Sequence, residues 1–403
     1  MHKFINNISQ NVLANFILIT GISLTILFGC ESSSTVGGDI GGGQAEVAID
    51  TMSISNFNER SVNYFSGKFS FFAAGEYQDP LLGDISATGL LKPSLPLPDD
   101  SLEQNANMLM RIILDGEQIY GDSAAAQSFD VYEIDELWRA NNFNFQDDIA
   151  LDDGGSPIAS FTVEEEDSVD VSLSSSWVSE YKSFADNNAD SLYRRDAFGL
   201  AIVPTNSKKV VPLNASSTRF VVENPKADTF SVPINQWATS FKRNNASSLP
   251  AGSSVLHSTN EQFMEFDVDW SSINQATQNV SRAELVIYRN NGLMESSISS
   301  EPSTVQRPSV PTARLYLINP DDLPVNITSG SPIAQGTYST DDGGYHFNIT
   351  SAILQGLDRG IDGNRKFVIT LNANGGIRSS IIFNNQATPS KRPKLIITSL
   401  TNN

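Results

Sequence analysis

From Ala45 onward the chain is made of short alternating or wholly apolar runs, rich in β-branched and aromatic residues and cut by Gly, Pro, Asn and Asp. Lys68-Phe-Ser-Phe-Phe-Ala73, Met108-Leu-Met-Arg-Ile-Ile-Leu114, Ala283-Glu-Leu-Val-Ile-Tyr288 and Lys366-Phe-Val-Ile-Thr-Leu371 are the clearest examples. Such runs bounded by turn residues read as strands, because successive side chains of an extended backbone point to opposite faces. Long amphipathic helical patterns are absent, and only Ser174 to Ala185 and Thr350 to Leu357 are spaced to form short helices. The expected fold is therefore all-β, built as jelly-roll-like β-sandwiches.

The chain also repeats itself. At 403 residues it has room for two domains of about 150 residues each, and two halves can be aligned element by element. The run 111–116 parallels 283–289, and 128–134 parallels 312–318. Next, 169–181 parallels 345–357, each a strand that runs into a helical turn. The apolar 198–204 then matches 366–371, and 217–222 matches 392–398 as closing strands. These pairings predict a first sandwich over 46–224 and a second over 245–403. Residues 225–244, around Pro225-Lys-Ala-Asp-Thr229, are expected as the linker.

Ahead of the body, Lys3 and the apolar run Val12 to Phe28 lead to Cys30, the one cysteine in the sequence. Charge, apolar length and a small residue before the cysteine follow the order of an export signal. The segment resembles a bacterial lipoprotein signal, which is cut before a cysteine whose thiol then carries lipid. That resemblance implies a signal peptide over 1–29 and lipidation of Cys30. Residues 30–45, Gly/Ser-rich, would be a flexible tether. A bacterial outer-membrane or cell-surface address, held by a lipid anchor, is expected from it.

Composition narrows the chemistry. The formal net charge is −20, with 46 acidic against 26 basic residues. A nucleic-acid binder needs a basic surface to displace phosphate counterions, so nucleic acid is not an expected partner. One cysteine cannot form an intramolecular disulfide, and beyond the signal only His257 and His346 are available to ligate zinc or act in a triad. No G-x-S-x-G, H-E-x-x-H or phosphate-loop pattern occurs, so the chain is not expected to be an enzyme.

In the second half, Arg-Ala-Glu-Leu-Val-Ile (282–287), Phe347-Asn-Ile-Thr-Ser-Ala-Ile-Leu354, an apolar strand and a closing Arg392-Pro-Lys-Leu-Ile-Ile resemble the DNRLRE-type β-sandwich, named for disaggregatase-related proteins. Asn348 stands where that pattern usually has Asp, and Gly356 lies near its usual Trp. The first half carries Asp170-Val-Ser and Trp177, closer to the pattern. Some members of that family are carbohydrate-binding modules, so the resemblance implies glycan binding. Separately, Gly75-Glu-Tyr-Gln-Asp-Pro-Leu-Leu-Gly83 resembles the opening of a family of uncharacterised Gram-negative lipoproteins.

Candidate binding residues follow. Tyr77 and Asp79 belong to that Gly75–Gly83 segment, which reads either as a turn or as a ligand-facing edge. Trp138, among charged neighbours in Glu136-Leu-Trp-Arg-Ala, reads either as core or as an exposed platform for a sugar face. Trp177 reads as core. Calcium needs six to eight converging oxygens, and among the acidic runs only Leu357-Asp-Arg-Gly-Ile-Asp-Gly-Asn364 combines carboxylates with a loop-permitting glycine; Asp358 and Asp362 are its candidate ligands. The functional expectation is a non-catalytic, membrane-anchored surface lipoprotein binding a polysaccharide or a surface protein. The alternatives are a structural or assembly subunit of an outer-membrane complex and, from another class, a polysaccharide-degrading enzyme.

Overall fold

The computed structural model describes residues 45–97, 100, 102–152, 154–186, 189–269, 280–308, 310–318, 331–358 and 364–402. It falls into a main body, Ala48–Ser399, and a terminal unit to which residues 45–47 and 400–402 belong. In the main body the expected strands form antiparallel sheets, and the fold is an all-β sandwich.

Two leading strands, β1 (Ala45–Ser53) and β2 (Ser55–Arg60), come first. The first half continues with β3 (Phe71–Asp79), β4 (Gly83–Pro93), β5 (Asn107–Ile113), β6 (Tyr120–Asp122) and β7 (Gln127–Glu133). After these come β8 (Ala159–Val163), β9 (Ser168–Ser172), helices α1 (Ser175–Asp186) and α2 (Asp190–Asp196), β10 (Leu200–Pro204), β11 (Lys209–Asn214) and β12 (Arg219–Glu223). The second half opens with β13 (Phe230–Asn244), β14 (Ser253–His257), β15 (Phe263–Asp269), β16 (Val280–Tyr288), helix α3 (Asn291–Ser296) and β17 (Val305–Gln306). It ends with β18 (Thr312–Ile318), β19 (Ala334–Ser339), β20 (Gly344–Asn348), helix α4 (Thr350–Asp358), β21 (Asn364–Leu371), β22 (Ser379–Phe383) and β23 (Lys394–Asn402).

The internal repeat is visible in the hydrogen-bonded order. In the first half β12-β5-β9 are neighbours, as β23-β16-β20 are in the second. The series β4-β10-β7-β8 matches β15-β21-β18-β19, and the pair β3-β11 matches β14-β22. Both short helices stand where the sequence placed them, each directly after the strand that leads into it.

The halves are nevertheless not tandem beads. Residues 225–244, expected as the linker, contain β13, which pairs with β12 through Phe230–Pro233 and then with β4 through Ile234–Asn244. A strand at the head of the second half thus completes the sandwich of the first. Reciprocally, β2, at the head of the first half, pairs with β15, and β1 lies beside β23. Each half lends its leading strand to the other. The reason this strand is not evident from the sequence is local. A register shift between Ile234 and Gln236 breaks the period-two pattern, and Pro233 sits within the strand.

The cores follow from this exchange. Phe72, Met110, Phe129, Trp177 and Phe220 fill the first sandwich, where the Trp177 ring stacks on Tyr181 at 5.4 Å and on Phe220 at 6.1 Å. The other large core joins Phe263, Leu285, Tyr345 and Phe367 of the second half to Tyr77, Ile85 and Phe241. One continuous apolar interior therefore runs across the expected domain boundary.

Candidate functional site: a cation-lined cleft

A cleft of about 1060 Å³ opens on the first sandwich. Four stretches meet there: the end of β4 with Lys92 to Pro96, the loop Leu137 to Asn142, helix α2, and the bulge of the lent strand β13 at Asn235 and Gln236. Lys68, from the turn before β3, closes one side.

Each wall is held by identifiable bonds. The bulge turns the Gln236 side chain so that its Oε1 accepts from the Ala140 amide at 3.0 Å, which pins the Leu137–Asn142 loop. Trp237 Nε1 donates to Phe69 O at 2.7 Å, and the Lys68 amide donates to Trp237 O. The Lys68 ammonium lies 4.3 Å from the Trp237 ring centre and donates to Asn235 O. Trp138 Nε1 donates to Phe198 O at 2.8 Å, and its ring meets Phe143 edge-on at 5.9 Å.

Helix α2 is clamped to the β4 end. Lys92 Nζ donates to Tyr193 O at 3.0 Å and to Ala197 O, and so satisfies carbonyls at the helix C-terminus, where positive charge is favoured. Tyr193 Oη donates to Pro93 O at 2.7 Å, and Tyr181 Oη to Ser94 O. Burial, helped by the nearby Arg194 charge, lowers the Lys92 ammonium to about 8.

The lining is chemically biased. Lys68, Lys92, Arg139, Arg194 and Arg195 face a single lining carboxylate, Asp190, and the amides Asn141, Asn142, Asn235 and Gln236 sit among them. Asp190 is paired with Arg194 at 2.6 Å, and Arg195 with Asp196. Among the described residues, Lys68, Lys92 and Arg139 have no carboxylate partner within ion-pair distance. Leu137, 57% exposed, forms an apolar lip.

The chain has no match among protein-family models or among curated proteins. Among solved structures it is similar to the C-terminal domain of the Streptococcus pyogenes antigen I/II-family protein AspA, at 11% identity over 84% of this chain and 100% of that one, with a TM-score of 0.16. A Macrobrachium rosenbergii nodavirus structure is similar at 8% identity over 90% of this chain and 98% of that one, also at a TM-score of 0.16. Likenesses this slight bear on neither fold nor function.

Of the residues singled out from sequence, Trp138 lines the cleft, although its ring is buried, so it is a wall and not an open platform. Tyr77 and Asp79 do not line it. Both are core residues. Asp79 Oδ1 accepts from the Leu81 and Leu82 amides at 2.9 and 2.7 Å, an Asx turn that the Asp-Pro pair predicts. Tyr120 Oη donates to Asp79 Oδ2 at 2.8 Å, and Arg307 takes both carboxylate oxygens. Burial pushes the Asp79 carboxyl up, but the Arg307 guanidinium and the two amides outweigh it and leave the carboxyl below its ordinary value. With its acceptors filled in the core, Asp79 has nothing to offer a ligand. Tyr77 packs on the Tyr120 ring at 5.9 Å, and burial, then the Asp79 charge, pushes its hydroxyl up to about 12.

Asp358 ends helix α4, while Asp362 and Cys30 lie outside the described residues, as do the segments 1–29 and 30–44. Among the described residues no group of three or more His, Cys, Asp or Glu side chains is placed to hold a metal ion. Several acidic runs have structural partners. Asp147 caps the Asn144 amide at 2.8 Å, and Asp148 pairs with Lys242.

Two further clusters went unremarked in the sequence. Ser379 Oγ lies 2.7 Å from His257 Nδ1, and Glu261 lies 3.6 Å from His257 Nε2. These are triad residue types, but Ser379 and His257 are cross-strand partners of the β14–β22 ladder, buried to 1% and 3% exposure. Glu261 is held by Arg243. Burial drives the imidazole well below its ordinary value, so it is neutral. Beside the cleft, behind Tyr193 and Phe198, a small cavity of about 160 Å³ gathers Glu133, Asp135, Asp152, Glu180 and Asp196. Burial, then Glu180 and Asp152, raises the Glu133 carboxyl.

Proposed function

We propose that the chain is a non-catalytic surface lipoprotein of a bacterial outer membrane, lipid-anchored at Cys30, that binds glycan in the cleft of its first sandwich. The observation that carries the binding half is the juxtaposition of Trp138 and Tyr193 with Asn141, Asn142, Asn235, Gln236 and Arg139 in one large concavity. Amide side chains both donate and accept, and so match the paired donor–acceptor character of sugar hydroxyls. The cleft is at the upper end of the roughly 300–1,000 Å³ typical of small-molecule pockets, which suits a segment of several sugars. The resemblance of both halves to DNRLRE-type sandwiches supports the same reading, and the order of charge, apolar run and cysteine before the body supports the anchor.

A polysaccharide array probed with the full chain in detergent tests the binding half. Retention of at least one polysaccharide, reduced by Asn235→Ala with Asn142→Ala, is expected. Absence of binding to every polysaccharide would remove this function.

A further inference from the structure

We propose, resting on the glycan-binding reading above, that the cleft selects acidic polysaccharides, those bearing carboxylate or sulfate groups, over neutral ones. The chain as a whole is strongly acidic, at −20, so an anionic polymer is repelled by its average surface. Against that background, the cleft lining sets five cations against one carboxylate. They come from four separate stretches, so folding and not local composition gathers them.

Their partners show which charge is left for a ligand. Asp190 and Asp196 are taken up by Arg194 and Arg195 through exposed pairs, which water and salt screen and a ligand can displace. Arg139 is exposed, and among the described residues it has no carboxylate partner. Lys68 and Lys92 are held by carbonyl oxygens and aromatic rings, Trp237 for the first and Tyr193 for the second. Carbonyls and rings orient these ammonium groups without neutralising them. A planar guanidinium matches a carboxylate or sulfate through two parallel bonds, and Asn141, Asn142 and Asn235 are placed to take the neighbouring hydroxyls. The concavity of the cleft and its amide content favour a sugar chain over a flat anionic lipid surface.

The test is calorimetric titration of the full chain in detergent with matched polymers. Polygalacturonate is compared with its carboxyl-reduced form, dextran sulfate with dextran, and phosphatidylglycerol vesicles serve as a non-sugar anion. At least one acidic polymer should bind about tenfold or more tightly than its neutral counterpart, and Arg139→Ala with Arg194→Ala should remove that margin, each variant costing about the tenfold expected of one charge-assisted hydrogen bond. Arg282→Ala, an exposed cation outside the cleft, should leave it unchanged. Which acidic polymer wins separates carboxylate from sulfate recognition. Equal binding of acidic and neutral forms overturns the selectivity but keeps the glycan function. Absence of binding to all the sugars overturns both, and binding to vesicles alone replaces the sugar with a lipid headgroup.

Discussion

Arg307 grips Asp79 with two parallel bonds of 2.6 Å, Nε to Oδ2 and Nη2 to Oδ1, across 228 residues of chain. Both side chains are buried, and the guanidinium also donates to Met294 O and Ser297 Oγ at 2.6 Å. The turn between β3 and β4 in the first half is thereby bonded to the α3–β17 segment of the second.

Breaking this pair by removing one partner leaves an uncompensated buried charge. Arg307→Met should therefore destabilise the body by about 3–5 kcal/mol in urea unfolding. Asp79→Ala with Arg307→Met should cost less than the two singles together, because neither charge is then orphaned. Additive losses would mean that the two groups act separately.

The strand exchange makes its own forecast. A protease site inserted between Pro225 and Asp228 should be cut without releasing two halves, since β13 stays paired to β4 and β12 and β2 to β15. Co-elution of both fragments on gel filtration is the expected outcome. Two separate folded domains would show that the halves are independent.

Gly75 adopts φ +135°, and a Cβ there would lie 2.2 Å from Lys209 O. Backbone cannot yield as a flexible side chain can, so Gly75→Ala should be among the most destabilising single changes. The loss should exceed the ~0.5–1 kcal/mol by which Gly ordinarily differs from Ala in a strand or helix, in the opposite direction. Thermal unfolding reads it, and a variant as stable as the parent would contradict the contact.

Lys92 gives a pH dependence. Its folded-state value is lowered to about 8, while the unfolded chain keeps its proton to about 10.4. Between those values the unfolded state binds more protons, so stability attributable to this site rises with pH over that window. It is absent at lower pH, where the ammonium is charged in both states. Relative to Lys92→Met, the parent's melting temperature should climb from pH 8 to pH 10. A constant difference would show that Lys92 titrates normally.

Fold class was legible from the sequence because period-two runs and turn residues are local. The duplication was legible for the same reason: 111–116 and 283–289 became β5 and β16, central in equivalent strand triplets. The lent strand was not, because its pattern breaks at the Ile234–Gln236 bulge and its partners, β4 and β12, lie earlier in the chain. Trp138 was within reach as a candidate, but Lys68, Lys92, Arg139, Arg194, Asn235 and Gln236 are scattered over some 170 residues and share no spacing. Asp79 stayed open between two readings for the opposite reason, since a short motif rich in Tyr, Asp and Gly looks the same in a structural turn and in a ligand loop.

Hydrogen-exchange mass spectrometry of the full chain, with and without the polysaccharide it retains best, tests the placement of the site most directly. Protection on binding should appear in peptides covering 92–97, 134–144, 189–198 and 233–238, the walls of the cleft. Protection confined to other surfaces, or no protection with any polysaccharide, would contradict the account.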